Sequence, residues 1–365
     1  MNSPGNASYM QISRAALWQN AETVKKFVGV PVIGVVKCDG YGVSLPEAAR
    51  AWQQAGVSMF AVSKPHEALE LRQLGFREDI LLMSPVADTE VLNTLIEYNI
   101  ILTITNYEIA QRYHRYASSL PIRVHIAVDT GMGRFGVIWT DIEQLQAIYR
   151  MSGFTFEGIF SHFSKSFENE YNYTKLQLDR FLQTVNKLSS TGISVGLRHI
   201  ANSCAALRFP ETRLDAVRIG SALVGKVCHE LPIVLHSVAQ FKAQVVDCKM
   251  LQAGDTTGYA SVCKVKKPTK AIVVAIGHED GFGYITRPDV FSFQDMLYYF
   301  YRMMRESLRR PYVTFKNLRL PLIGRIGNQY TLFDATGVGV AAGDYVLADL
   351  PLFFPYHRRT FIADE

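Results

Sequence analysis

Cysteine is scarce and unpatterned in this 365-residue chain: five residues, Cys38, Cys204, Cys228, Cys248 and Cys263, with no C-x-x-C pair among them. An odd number without that spacing argues against a disulfide framework and against a zinc site, and it suits a reducing cytoplasm. Long apolar runs are missing too. None approaches the roughly eighteen residues that cross a bilayer, and the opening MNSPGNASYM has no basic stretch followed by an apolar one. Neither a membrane anchor nor an export signal is expected. Charge is thin, with 19% of residues charged and a formal net of +5. Lysine and arginine gather only at Lys264–Lys270 and Arg302–Arg310; both clusters read as solvated surface, and no nucleic-acid partner is expected. Internal repeats and low-complexity segments are also lacking.

What is abundant is apolar residue, 48% of the chain, enough for two cores at this length. Over residues 10 to 230, short β-branched runs alternate with helical patterns: Val30–Val36, Met59–Val62, Ile80–Met83, Ile100–Ile104, Val124–Val128, Phe156–Ile159 and His199–Ala201, most followed by an amphipathic stretch. Such alternation marks βα units and a parallel sheet, and about eight repeats fit a closed (β/α)8 barrel of the TIM type. Chemistry in that fold gathers where strands end. After Leu235 the pattern changes to strand-like segments, Phe241–Met250, Ala271–Ile276, Leu320–Ile326 and Tyr345–Leu347, with glycine-rich turns between them. The expectation is an α/β chain with a barrel over residues 1–232 and a mostly β domain over 233–365, the first few residues being candidates to pair with the second domain. An amphipathic helix, DMLYYFYRMMRESLRR, interrupts the latter at Asp295–Arg310, its aromatics expected to pack on a neighbour.

The segment Val35-Val36-Lys37-Cys38-Asp39-Gly40-Tyr41-Gly42 puts a lysine directly after a buried strand, at the barrel mouth. Desolvation there makes an amine nucleophilic, as a Schiff base requires. By itself the lysine reads more readily as a surface residue beside a turn. The segment, however, resembles the cofactor-lysine motif VVKANAYG of the alanine racemase family, and the resemblance recurs in order along the chain. Val128–Gly136 (VDTGMGRFG) is similar to that family's DTGMGRLG. Ser161-His162-Phe163, His199-Ile200-Ala201-Asn202-Ser203 and Val217-Arg218-Ile219-Gly220 are similar to its THF, HxANS and RPG segments. Gly258-Tyr259, Gly277–Gly281 and Gly324–Asp334 stand where it has GYG, GYADG and GRVSMDQxxxD.

The resemblance implies pyridoxal phosphate as cofactor, held by Lys37, and racemisation of a small amino acid, alanine first and serine second. Inverting a stereocentre needs a base on each face of a planar carbanion; the resemblance gives one face to Lys37 and the other to Tyr259, with His162 and Arg218 as the cationic surround of the tyrosine. Arg218 would meet the pyridine nitrogen and keep it unprotonated, weakening the electron sink and suppressing transamination. His199, Asn202, Ser203, Gly220, Ser221 and Tyr41 would line the ring and phosphate, and Arg134 would contact the phenolic oxygen and the substrate carboxylate. A homodimer with composite sites is implied as well.

Four positions depart from the family pattern. Ala127 replaces a lysine that orients the arginine matching Arg134. His278 replaces the GYADG tyrosine, and Asn328-Gln329 replace a Met-Asp pair at the substrate wall. The end Pro351–Phe354 offers no obvious equivalent of a phosphate-contacting tyrosine. Specificity for alanine therefore does not follow from the resemblance. Two alternatives stay open: a barrel-type pyridoxal-phosphate decarboxylase, against which Arg218 argues, and a non-catalytic pyridoxal-phosphate-binding protein, against which the second domain argues.

Overall fold

The computed structural model describes residues 8–117, 121–227, 229–231, 233–284, 293–307, 310–350, 352 and 359–362. Among them, eight short strands run parallel: Val32–Val35, Met59–Val62, Asp79–Leu82, Leu102–Ile104, Ile122–Asp129, Phe154–Phe160, Leu197–His199 and Val217–Ile219. Each pairs with the next, Leu81 bridging to Ile101 between the third and fourth. The last strand returns to the first through Val217↔Val32 and reaches the seventh through the Arg218 N–H to Ala201 carbonyl bond. The barrel expected from the β-branched runs is therefore closed. Ile33, Val35, Ala61, Leu81, Ile101 and Ala216 form a buried cluster, each large aliphatic side chain contributing roughly 1.5–3 kcal/mol by leaving water. Asp88, Asn106, Asp141 and Asn202 start the next helices by accepting the backbone N–H three residues on, which satisfies a donor the helix itself cannot. These caps set where each strand-to-helix loop begins.

This unit spans Ser13–Val238, and a second unit joins Ala239–Ile362 to the N-terminal strand Tyr9–Ser13 up to Ile12. Its spine is the 13-residue strand Ala239–Leu251, which pairs antiparallel with Tyr9–Ser13, with Tyr345–Ala348 and, beyond a register shift at Val245/Asp247, with Thr269–Val274. The inserted helix is present at Phe293–Ser307. Phe293, Met296, Leu297, Tyr298, Phe300, Tyr301, Met303 and Met304 on it are all exposed, so the expectation that its aromatics pack on a neighbour fails within the described residues: nothing covers the stripe.

The cysteine reading needs one correction. Cys204 is disulfide-bonded, whereas Cys38, Cys248 and Cys263 are free. Of the expected C-terminal segment Pro351–Phe354, all but Leu352 lie outside the described residues.

Candidate active site

Lys37 follows the first barrel strand, as expected, and opens a turn of unusual hand. Cys38, Asp39, Gly40 and Tyr41 all have positive φ, at 54, 53, 62 and 59°. For a non-glycine residue that region costs roughly 1–2 kcal/mol, so the turn needs outside support. It receives it from Glu67, which is 4% exposed. One carboxylate oxygen of Glu67 accepts the Cys38 N–H at 2.7 Å, and the other accepts the N–H groups of Ser63 and Lys64 at 2.9 Å each. Asp39 adds a bond from Leu45 N–H at 2.8 Å. Sequence reasoning missed Glu67. Its place at the third position of the helix Pro65–Gln73 signals a capping box, but not the second loop it also holds.

Arg218 is 3% exposed and lies on the last barrel strand. Its two terminal nitrogens meet four acceptors: His199 Nδ1 at 2.7 Å, the His199 carbonyl at 3.1 Å, the Ser161 carbonyl at 2.6 Å and His162 Nδ1 at 3.1 Å. Arginine has five N–H donors, and among the described residues Nε–H has no partner. Because arginine only donates, both imidazoles must accept through Nδ1 and carry their proton on Nε2. Burial, then the positive charges of Arg218, Arg134 and Lys37, lowers the His162 pKa to about 3; burial and Arg218 hold His199 well below its ordinary value. The expectation that His162 is part of a cationic surround is thus corrected. His162 is neutral and offers an N–H, while positive charge comes from Arg218, whose pKa is lowered to about 9 by burial and by Arg134 and which is still protonated at neutral pH.

A cavity of about 400 Å³ is lined by Lys37, Tyr41, His162, Asn202, Ser203, Arg218, Gly220 and Ser221. Eight of the expected cofactor contacts thus share one space, of a size typical for a cofactor. His199, fully buried, sits behind Arg218. At the far end the Ser203 hydroxyl accepts from Gly220 N–H at 3.2 Å and Ala222 N–H at 3.4 Å. A Cβ on residue 220 would lie 2.2 Å from the Tyr41 hydroxyl, so only glycine lets that ring close over the backbone. Asn202 accepts from Ala205 N–H at 3.0 Å and from the Ser166 hydroxyl at 2.9 Å; its side chain serves the helix that presents Ser203.

Arg134 is exposed, on a loop wound around Asp129. The Asp129 carboxylate accepts N–H groups from Gly131, Met132 and Gly133 at 2.9 to 3.1 Å. From the helix Asn172–Ser189, Tyr173 donates to the Gly131 carbonyl, Gln177 to the His162 carbonyl and Arg180 to the Thr130 carbonyl. Ala127, 2% exposed on the preceding strand, has no polar side chain to contribute; hydrogen bonds to the loop's backbone hold it instead.

The remaining expected residues belong to the second unit, where three loops meet. Gly258 sits against Gly324 and Arg325, while His278 N–H and Glu279 N–H bond to the carbonyls of Gly327 and Asn328. Tyr259 is 79% exposed, and His278, Asn328 and Gln329 are exposed beside it in this cluster. Gln329 donates to the Glu279 carboxylate at 3.1 Å.

Two family models, alanine racemase N-terminal domain and alanine racemase C-terminal domain, match residues 12–227 and 238–349. Alanine racemase of Desulforamulus reducens is 33% identical over 284 residues, 75% of this chain and 76% of that protein. The solved alanine racemase of Clostridium difficile 630 superposes with a TM-score of 0.86 at 22% identity, covering 100% of this chain and 97% of the other. Histidine racemase from Leuconostoc mesenteroides subsp. sake superposes at 0.81 and 22%, covering 99% and 100%. Cavity, lysine turn and buried arginine thus lie within a chain matched along both of its domains, and this protein belongs to the alanine racemase family.

Proposed function

We propose that the chain racemises a small amino acid, alanine the first candidate and serine the second, with Lys37 and Tyr259 moving the α-proton on opposite faces. The family's activity is amino-acid racemisation dependent on pyridoxal phosphate. The residues present fit that group: the Lys37 amine at the mouth, the Ser203 hydroxyl, whose oxygen accepts from Gly220 and Ala222 N–H and whose own O–H is left to donate to a phosphate, and, among the described residues, an unpartnered Nε–H on Arg218 for a ring nitrogen. When bound, the cofactor supplies the electron sink that acidifies the substrate's α-carbon. Lys37 Nζ would carry it and take or return the proton on one face. Tyr41 cannot serve on the other, since burial raises its pKa, and His162 Nδ1 is taken by Arg218. A second base must come from outside the lining, and exposed Tyr259 is available to it. Family membership also supports a homodimer in which the partner supplies that tyrosine.

The observation that carries this reading is the Arg218 donor count. Four N–H groups spent on neutral acceptors leave one charged donor at the cavity, where a carboxylate would instead hold a ring nitrogen protonated. Incubating the purified protein with each L-amino acid in D2O, and following α-proton exchange with optical inversion, tests it. Exchange with inversion of alanine or serine is expected, and borohydride should fix the cofactor on Lys37. No exchange with any amino acid, or fixation on another lysine, would sink the reading.

A further inference from the structure

The acceptor chain that begins at Arg218 continues one residue deeper. His199 gives Nδ1 to Arg218, so its Nε2 carries the proton, and that nitrogen lies 2.9 Å from His125 Nδ1. His125 must therefore accept, and its own proton sits on Nε2. Donation thus runs one way, from Arg218 through His199 to His125, and the His199 tautomer is held at both of its nitrogens. A charged His125 would donate from both nitrogens and reverse the chain, leaving His199 Nδ1–H pointing at an arginine N–H. Burial, then Arg218 and Arg123, lowers the His125 pKa to about 3, in keeping with a neutral ring.

The surroundings are shaped to this ring. His125 is 1% exposed on the strand Ile122–Asp129. Opposite it stands Gly158, where a Cβ would lie 2.6 and 2.7 Å from the imidazole, and the pairing of the two strands shifts register between Val124 and His125. Phe160 stacks on His199 at 5.2 Å and 12°, and the Arg218 guanidinium lies 5.1 Å from the same Phe160 ring. His199 is consequently held on one face by Phe160 and at its two nitrogens by Arg218 and His125.

We infer that His125 is a positioning residue of the racemase reaction: by accepting from His199 it keeps that ring's proton on Nε2 and its Nδ1 open to Arg218. Were His199 to take the other tautomer, two donors would face each other and the arginine would turn from the cavity. The neutrality of the chain matters as much as its geometry, since a carboxylate in place of His199 would draw on the charge Arg218 presents to the cavity. The inference rests on the reading of Arg218 given above.

The test combines imidazole 15N spectra of the holoenzyme with kinetics. In the parent, His199, His162 and His125 should each show one tautomer, with the proton on Nε2; a proton on Nδ1 of His199 overturns the inference before any substitution is made. His125→Leu should let His199 populate both tautomers and lower kcat about tenfold while KM for the amino acid stays within about twofold. His125→Asn, whose Oδ1 stands near the place of Nδ1, should restore most of both. A single unchanged tautomer at His199 in His125→Leu, or an unchanged kcat with the tautomer lost, refutes it. If the leucine variant does not fold, the parent spectra and the asparagine variant still decide. Loss of racemisation in the parent itself would instead defeat the functional reading, since the spectra do not depend on turnover.

Discussion

Glu67 and Cys38, 29 residues apart in sequence, are joined at 2.7 Å by a bond from the Cys38 N–H to the Glu67 carboxylate. Two strand-to-helix loops are thereby fastened at one buried group, and the loop carrying Lys37 is held in a left-handed turn it would not adopt alone. Replacing Glu67 with alanine leaves three backbone N–H groups without their acceptor, a loss of about 2–4 kcal/mol. The midpoint of thermal unfolding should drop accordingly, and Glu67→Asp, which keeps the charge on a shorter arm, should recover the helix cap but not the bond to Cys38. Amide exchange at Cys38 checks this: protection lost in Glu67→Ala and in Glu67→Asp is expected, and full protection in either would contradict it.

Arg218→Glu bears on reaction type. A carboxylate there would keep a ring nitrogen protonated and stabilise negative charge at the substrate's α-carbon for longer, so racemisation should fall by about 100-fold while a keto-acid product of transamination becomes measurable. Product analysis by chromatography separates the outcomes. Racemisation at the parental rate with no keto acid would remove Arg218 from its assigned role.

Acid should unfold this protein early. His125 and His162 have folded pKa values of about 3, lowered by burial first and by nearby positive charge second, against an unfolded value of about 6.5. The unfolded chain therefore binds these protons first. Stability is fully present above pH 6.5 and is lost as pH falls from there toward 3, by about 1.4 kcal/mol per pH unit for each histidine; His199, shifted the same way, adds to the slope. Unfolding midpoints in denaturant across this range should show the decline, and its disappearance between pH 6 and 4 would mean that these rings are protonated when folded.

On the proposed reading, substrate choice turns on Asn328 and His278. The Gln329 side-chain amide is bonded to Glu279, whereas among the described residues the side chains of Asn328 and His278 have no hydrogen-bond partner. A wall with polar groups left to satisfy favours a substrate that bonds to them, so L-serine should be turned over at least as well as L-alanine. Asn328→Met should shift the ratio of kcat/KM toward alanine. A strong alanine preference in the parent that the substitution leaves unaltered rejects the polar wall.

Much of this was legible in the sequence, and the limits were physical. β-Branched runs marked the barrel strands because burial on both faces demands them, whereas Lys37 stood out only through the resemblance of its segment, Val35–Gly42, to a family motif. Glu67 and His125 did not stand out. Each acts on a residue brought near only by closure of the barrel, His125 on His199 across 74 positions, and no local pattern encodes that. The neutrality of His162 was equally hidden, since it depends on how deeply the ring is buried and on the arginine beside it.

The left-handed turn after Lys37 also bears on mutational tolerance. At Cys38, Asp39 and Tyr41 the backbone itself filters replacements: β-branched residues are strained at positive φ, while glycine and asparagine are admitted. A library screened only for soluble folded protein, with no racemase assay, should therefore already be depleted of valine, isoleucine and threonine at these positions. Sequence constancy around Lys37 would then record the handedness of a turn as much as the demands of the chemistry.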